Sequence, residues 1–293
     1  MLVKEKEIDV FCFGFGQVAK NFVKKLSKEN FKIKLTTTSR NKSSKKRFND
    51  IAYDSLQFDG DNFDTKIIEQ LKKSSHILVS TPPNAENSII KNFKVALESN
   101  PTLNWFGYLS STSVYGNHNG RWVDENTITI PTSKNGKKRL FAEKQLKKLN
   151  IPLIIFRLSG IYSSENNVLN RLKKNLIKIV EMENQIFSRI HVEDIANVLF
   201  NSSFAPNLLK GEIFNVCDNY PCSYKEVVEY GCKILNIKKP EIISFEELES
   251  ETMKEFYKDS KKVSNKKMKK FFNYKLKYPT YIDGLSEIRN NSI

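Results

Sequence analysis

Residues Asp9 to Phe13 read as a short apolar strand that runs into Gly14-Phe15-Gly16-Gln17-Val18-Ala19 and then into a helix with Val18, Phe22, Val23 and Leu26 along one face. This GxGxxA turn constrains the chain more than any other feature, because a strand, a glycine turn and a helix must follow one another without a break. Gly14 permits the tight turn, Gly16 lets backbone approach a ligand, and Ala19 is small enough for helix and strand to pack closely. Amides at the start of the helix then face that ligand, which is the arrangement that grips a dinucleotide pyrophosphate. Gly14, Gly16, Gln17 and Val18 are the first candidate cofactor contacts.

Beyond the turn, apolar strand segments alternate with helical periodicity. Strands are expected at Lys32 to Thr37, His76 to Ser80, Trp105 to Leu109 and Leu153 to Leu158, and helices at Lys66 to Lys73, Ala85 to Leu97 and Lys137 to Leu149. The alternation implies an α/β fold, a Rossmann-type doubly wound parallel sheet with right-handed crossovers. After Ser159 the pattern changes to a helix at Val168 to Ile179, a helix ending near Phe200, a strand at Gly211 to Val216, and a helix to Leu235 opened by a Ser223/Glu226 capping box. The expected division is a dinucleotide-binding domain over 1–165, to which 186–217 returns, and a small C-terminal substrate-binding region formed by 166–185 and 218–293.

Composition narrows the class. At 293 residues, with 39% hydrophobic and 28% charged residues, the chain can bury a large core, and no apolar run is long enough to cross a bilayer. The mixed charges of Met1 to Glu7 precede the first strand without a signal-peptide apolar region, so a cytoplasmic location and no membrane partner are expected. Cys12, Cys217, Cys222 and Cys232 lack paired spacing and only three histidines accompany them, which argues against a metal site or disulfide framework. The net charge of +15 is carried by scattered lysines, with only eight arginines among 48 basic residues. The Lys-rich end, Lys261 to Met268 followed by Phe271-Phe272-Asn273-Tyr274, has the composition of a nucleic-acid strip, but so diffuse a charge does not make nucleic acid the expected partner.

The second strand ends Thr36-Thr37-Thr38-Ser39-Arg40, with no acidic residue to take the ribose 2′-hydroxyl of NAD. Arg40 and Ser39, helped by Lys42, instead offer charge-assisted hydrogen bonds to a 2′-phosphate, which favours NADP and keeps NAD as the alternative.

The stretch Ser110-Ser111-Thr112-Ser113-Val114-Tyr115-Gly116, followed by Asn135-Gly136-Lys137-Lys138-Arg139, resembles the active-site segments of the extended short-chain dehydrogenase/reductases, the nucleotide-sugar epimerases and dehydratases. In that family the second segment carries Tyr, three residues, then Lys; here Asn135 and Arg139 hold those positions. The resemblance runs from Val10 to about Leu285 and is closest to the atypical branch of the superfamily, NAD(P)-binding epimerase/dehydratase-like proteins that keep the Gly-rich loop and lose the Tyr. It implies that Ser111 hydrogen-bonds a substrate and that Asp59 lies near adenine. It further implies that Ser80-Thr81-Pro82, Ser110 and Ser159 line the cofactor, and that Arg139 holds ribose hydroxyls. Thr112, Tyr162 and Arg189 become substrate-side candidates.

Asn cannot titrate and Arg stays protonated, so another acid is needed; Tyr115, Tyr162, His191 or a cleft lysine are the candidates, His191 reading better as a packing residue. The implied activity is an NADP-dependent oxidoreductase or epimerase on a small molecule, sugar-like or phosphorylated, with a nucleotide sugar among the candidates. The alternative is a catalytically inactive NADP(H)-binding regulatory or scaffold protein. A homodimer is the assembly the family implies.

Overall fold

The structure, a computed structural model, describes residues 6–83, 86–180, 182, 184–205 and 210–291. In chain order the elements are β1 (Lys6–Phe13), α1 (Gln17–Lys28), β2 (Phe31–Ser39), β3 (Ser44–Phe48), β4 (Ile51–Gln57), α2 (Lys66–Leu71), β5 (His76–Val79), α3 (Glu86–Glu98) and β6 (Trp105–Ser111). A 3₁₀ turn (Thr112–Tyr115), β7 (Trp122–Val123), α4 (Lys134–Leu146), β8 (Leu153–Leu158), β9 (Gly160–Tyr162), α5 (Val168–Lys173), β10 (Ile179–Val180), β11 (Arg189–His191) and α6 (Val192–Ser203) follow. The chain then forms β12 (Ile213–Val216), α7 (Tyr224–Leu235), β13 (Ile242–Ile243), α8 (Glu251–Tyr257), β14 (Lys262–Val263), α9 (Lys266–Phe272) and α10 (Tyr281–Asn290).

The main sheet has the order β12-β8-β6-β5-β1-β2-β4-β3. Strands β6, β5, β1, β2 and β4 are parallel, and β3 is added antiparallel on the edge. This is the Rossmann-type doubly wound sheet, and its strand order reverses between β1 and β5, the switch point where open α/β sheets bind ligands. β1 and β5 are buried on both faces over Val10–Phe13 and His76–Val79, as a central parallel strand must be. Helix α1 packs on the sheet through Val18, Ala19, Phe22, Val23 and Leu26, all 6% exposed or less. Each of the larger side chains contributes about 1.5–3 kcal/mol by that burial. Phe13, Phe58, Phe63 and Phe93 form a ring cluster with centroids 4.9–5.7 Å apart that fixes β1 and α3.

The chain divides into two compact units, residues 1–110, 138–156 and 195–213 in the first, and 111–137, 157–194 and 214–293 in the second. The first has the core just described. The second has its own, in which α5, α7 and α10 bury Leu169, Leu172, Val228 and Leu285. Gly231 lets α5 and α7 meet closely, since a Cβ there would lie 2.8 Å from Leu172.

Several expected boundaries move. The helix expected at Val168 to Ile179 ends at Lys173. Asn175 then turns left-handed at φ 52°, and Ile179–Val180 pair with Ile242–Ile243 as a strand. The helix expected from Lys137 starts at Lys134, which places Asn135 and Arg139 one turn apart on α4. The helix expected from Ala85 is seen from Glu86, residue 85 lying outside the described residues. Strand β3 was not anticipated, because Ser44-Lys45-Lys46-Arg47-Phe48 is a charged, solvent-facing edge with no apolar alternation. No helix among the described residues is long and apolar enough to cross a membrane.

Candidate functional site

The Gly-rich turn of the first unit is built tightly on one side and left open on the other. Gly14 is left-handed at φ 79°; its N–H donates to Thr38 Oγ1 at 3.0 Å, and a Cβ on it would sit 3.3 Å from Ser80 Oγ. The Ser80 hydroxyl reaches the Phe13 and Gly14 carbonyls, both at 3.1 Å, so it holds the turn down. Phe15 anchors the turn sideways, its ring 5.3 Å from Phe48 and 5.2 Å from Tyr53 on the β3–β4 hairpin. Gly16 differs: nothing lies within 4 Å of where its Cβ would be. It caps α1 without a side-chain hydrogen bond, and no acidic residue stands in the first turn, so no side chain of the cap takes up the amides at the head of the helix.

At the end of β2, Ser39 accepts a hydrogen bond from Ser55, and Arg40 is exposed with no partner among the described residues. Asp59 is exposed, and its carboxylate is taken up by its own turn, accepting from the Asp61 and Asn62 N–H groups, which hold its pKa below the usual carboxylate value. Thr81 is buried and Pro82 exposed at the end of β5.

Ser110 and Arg139, like Ser80 and Asp59, are committed to protein atoms. The Ser110 hydroxyl donates to the buried Glu143 carboxylate at 2.6 Å and clamps β6 to α4. Arg139 donates to the Leu109 carbonyl at 2.9 Å and the Thr81 carbonyl at 3.1 Å, and its guanidinium lies over the Tyr108 ring, so it staples the ends of β5 and β6. Sequence patterns place residues on helices and strand ends; they do not show which distant carbonyls a guanidinium will find.

The second unit encloses a cavity of about 510 Å³. Its walls bring together Ser111, Thr112, Asn135, Ser159, Tyr162 and Arg189. Ser111 accepts the Ser113 N–H at 3.1 Å as the cap of the 3₁₀ turn, which leaves its own proton to donate. Arg189 spreads its guanidinium over the Phe187, Cys222 and Ser223 carbonyls and the Cys222 sulfur. The structure does not bring Tyr115 there: it is fully buried, donates to Asn215 Oδ1 at 2.7 Å, and burial pushes its pKa up to about 12 despite Arg157 over its ring. Tyr162 lines the cavity, but its hydroxyl reaches the Thr280 carbonyl and burial raises its pKa.

His191 packs between the Tyr162 and Tyr278 rings, and burial lowers its pKa to about 4, which keeps it a neutral packing residue. The sequence reading missed Arg171, Tyr224, Asp259 and Lys261 on the same walls. Only the generic expectation of a cleft lysine pointed toward the last. The four cysteines are free and buried, and no group of three or more His, Cys, Asp or Glu among the described residues is placed to hold a metal.

The fold, with its Gly-rich turn at the switch point, defines a class by architecture, the doubly wound α/β proteins. It superposes on dTDP-glucose 4,6-dehydratase (rfbB) from Bacillus anthracis str. Ames, solved with NAD, at a TM-score of 0.75 and 18% identity, over 97% of this chain and 96% of that one. It superposes equally on human epimerase family protein SDR39U1 (isoform 2), solved with NADPH, at 0.73 and 13% identity, over 97% and 100%. No protein-family model and no curated protein sequence matches the chain. Within the class, the chain belongs to the family of a functionally unknown conserved protein from Silicibacter pomeroyi DSS, with 30% identity and a TM-score of 0.84 over 97% of this chain and 99% of that one.

Proposed function

We propose that the chain is an NADP-dependent oxidoreductase or epimerase acting on a sugar-like or phosphorylated small molecule, with the first unit as the dinucleotide-binding part and the second as the substrate part. The observation that carries the reading is the asymmetry of the Gly-rich turn, packed under Gly14 and open at Gly16 above uncapped helix amides. These residues fit a pyrophosphate, and the free Arg40 with Ser39 fits a 2′-phosphate. When bound, the nicotinamide supplies the hydride donor or acceptor. Ser111 orients a ligand hydroxyl or carbonyl in the cavity, and Arg189 and Thr112 contribute to its polar wall. The relatives solved with NAD and with NADPH support a nicotinamide dinucleotide without choosing between the two.

The test is a titration of wild type and Arg40→Ala with NADPH and with NADH, following nicotinamide fluorescence. NADPH should bind and weaken by about tenfold or more in the variant, with NADH little changed, since one charge-assisted phosphate contact amounts to roughly 1.5–3 kcal/mol. Binding of neither nucleotide overturns the reading.

The second reading is a catalytically inactive NADP(H)-binding regulator or scaffold. Asn135 and the staple made by Arg139 favour it, because neither residue is left to move a proton. It predicts nucleotide affinity with no hydride exchange toward any nucleotide sugar or sugar phosphate.

A further inference from the structure

We propose that Lys261, held by Asp259, is the proton donor and acceptor of the cavity; the inference rests on the reading above, that a ligand bearing a carbonyl or hydroxyl is processed there. Lys261 is only 8% exposed, yet it lines the cavity wall with Ser111 and Asn135. Its Nζ lies 3.1 Å from Asp259 Oδ2. The other oxygen of Asp259 accepts the Thr132 hydroxyl at 2.6 Å, and the main chain of the pair is tied down as well, Asp259 by Gln185 and Lys261 by the Ile186 carbonyl. The amine is thus held at a fixed place rather than swinging on a free stem.

Thr132 also fixes where that place is. It leads directly into α4, where Ser133 caps the Gly136 N–H at 3.0 Å and Gly136 packs against the Ser113 carbonyl. The Lys261–Asp259 pair is therefore fastened to the segment that carries Asn135, the position where the related dehydrogenases hold their Tyr.

The other ionisable groups on the walls serve less well. Arg171 and Arg189 do not titrate in the working range. Burial raises the pKa of Tyr162, Tyr224 and Tyr281, and Glu255 has no hydrogen bond among the described residues to fix it. Burial instead lowers the Lys261 pKa, with Asp259 acting in the opposite direction.

In the reducing direction a bound reduced nicotinamide would supply the hydride for the new C–H bond, and as the ligand C=O π bond breaks the Lys261 ammonium gives its proton to the oxygen. The neutral amine left beside Asp259 is reprotonated from water. In the oxidising direction the neutral amine takes the hydroxyl proton as hydride departs.

The test is competitive acetylation of the full chain with acetic anhydride across pH 6–11, read lysine by lysine from peptide masses. Lys261 should react, with a titration midpoint below that of the surface lysines. Asp259→Asn should move it lower still, because the carboxylate that favours the ammonium is gone. A Lys261 that stays unreactive, or that titrates with the surface lysines, overturns the proposal and leaves a structural ion pair.

On a substrate found in a panel of nucleotide sugars, Lys261→Met should lower kcat about 10²–10⁴-fold with NADPH affinity unchanged. Lys261→Arg, which keeps the charge and does not release the proton, should not restore it; full kcat in either variant overturns the role. Failure of wild type to bind NADPH at all would instead sink the functional reading, and the acetylation result would still decide whether Lys261 is a low-pKa amine.

Discussion

Gly14 and Gly16 stand two positions apart and answer to different constraints. At Gly14 the backbone is left-handed and Ser80 lies close, so Gly14→Ala should cost about 1–2 kcal/mol of stability and weaken nucleotide binding with it. At Gly16 the backbone is extended and the space is empty, so Gly16→Ala should leave the unfolding free energy within about 0.5 kcal/mol of wild type while lowering nucleotide affinity. Calorimetry and fluorescence titration on the two variants read these separately; a Gly16→Ala protein that binds normally would mean that nothing approaches the turn. The tight turn at Gly14 was legible from spacing, since it is local. The partners of Ser110, Arg139 and Tyr115 were not, because Glu143, the Thr81 carbonyl and Asn215 are brought to them only by the fold.

Among the elements, helix starts were the most readable. Ser223 and Glu226 form the reciprocal capping box at the head of α7, as their spacing requires, and Ser223→Ala should cost about 1 kcal/mol in denaturant unfolding. Thr280 and Asp283 repeat the device at the head of α10. That helix was not expected, although Tyr281, Leu285 and Ile288 are buried at helical spacing along it. The shortened α5 has the converse cause: Ile177, Ile179 and Val180 extend an apolar pattern beyond Lys173, and only the pairing with β13 shows that they are strand. Short strands of two or three residues carry too few side chains to display a period.

For the molecule as a whole, two buried groups set opposing pH dependences. Burial raises the pKa of Asp218 from 3.8 to about 7, so the folded state holds a proton that the unfolded chain gives up, and stability falls as pH rises through that window. His191, lowered to about 4, acts the other way, and its contribution grows between about pH 4 and 6.5. Asp218→Asn keeps an oxygen for the Tyr220 N–H and removes the first effect. Its melting temperature should therefore gain on wild type steadily from pH 4 to 7; a constant offset across that range would show that Asp218 does not titrate there. His191 already read as a packing residue, whereas Asp218 was not legible as titrating in this way, because burial of a side chain that follows a strand end depends on what packs over it.

The contact between Gly284 on α10 and Tyr162 reaches further than packing. The Tyr162 ring occupies the space that any side chain at position 284 would need, and the same ring is a wall of the cavity. A methyl group added at 284 would have nowhere to go except by pushing that wall inward. The width of the cavity is thus set in part from a position of α10 that does not itself line it, and a larger residue at 284 should narrow the space while leaving Ser111 and Lys261 in place.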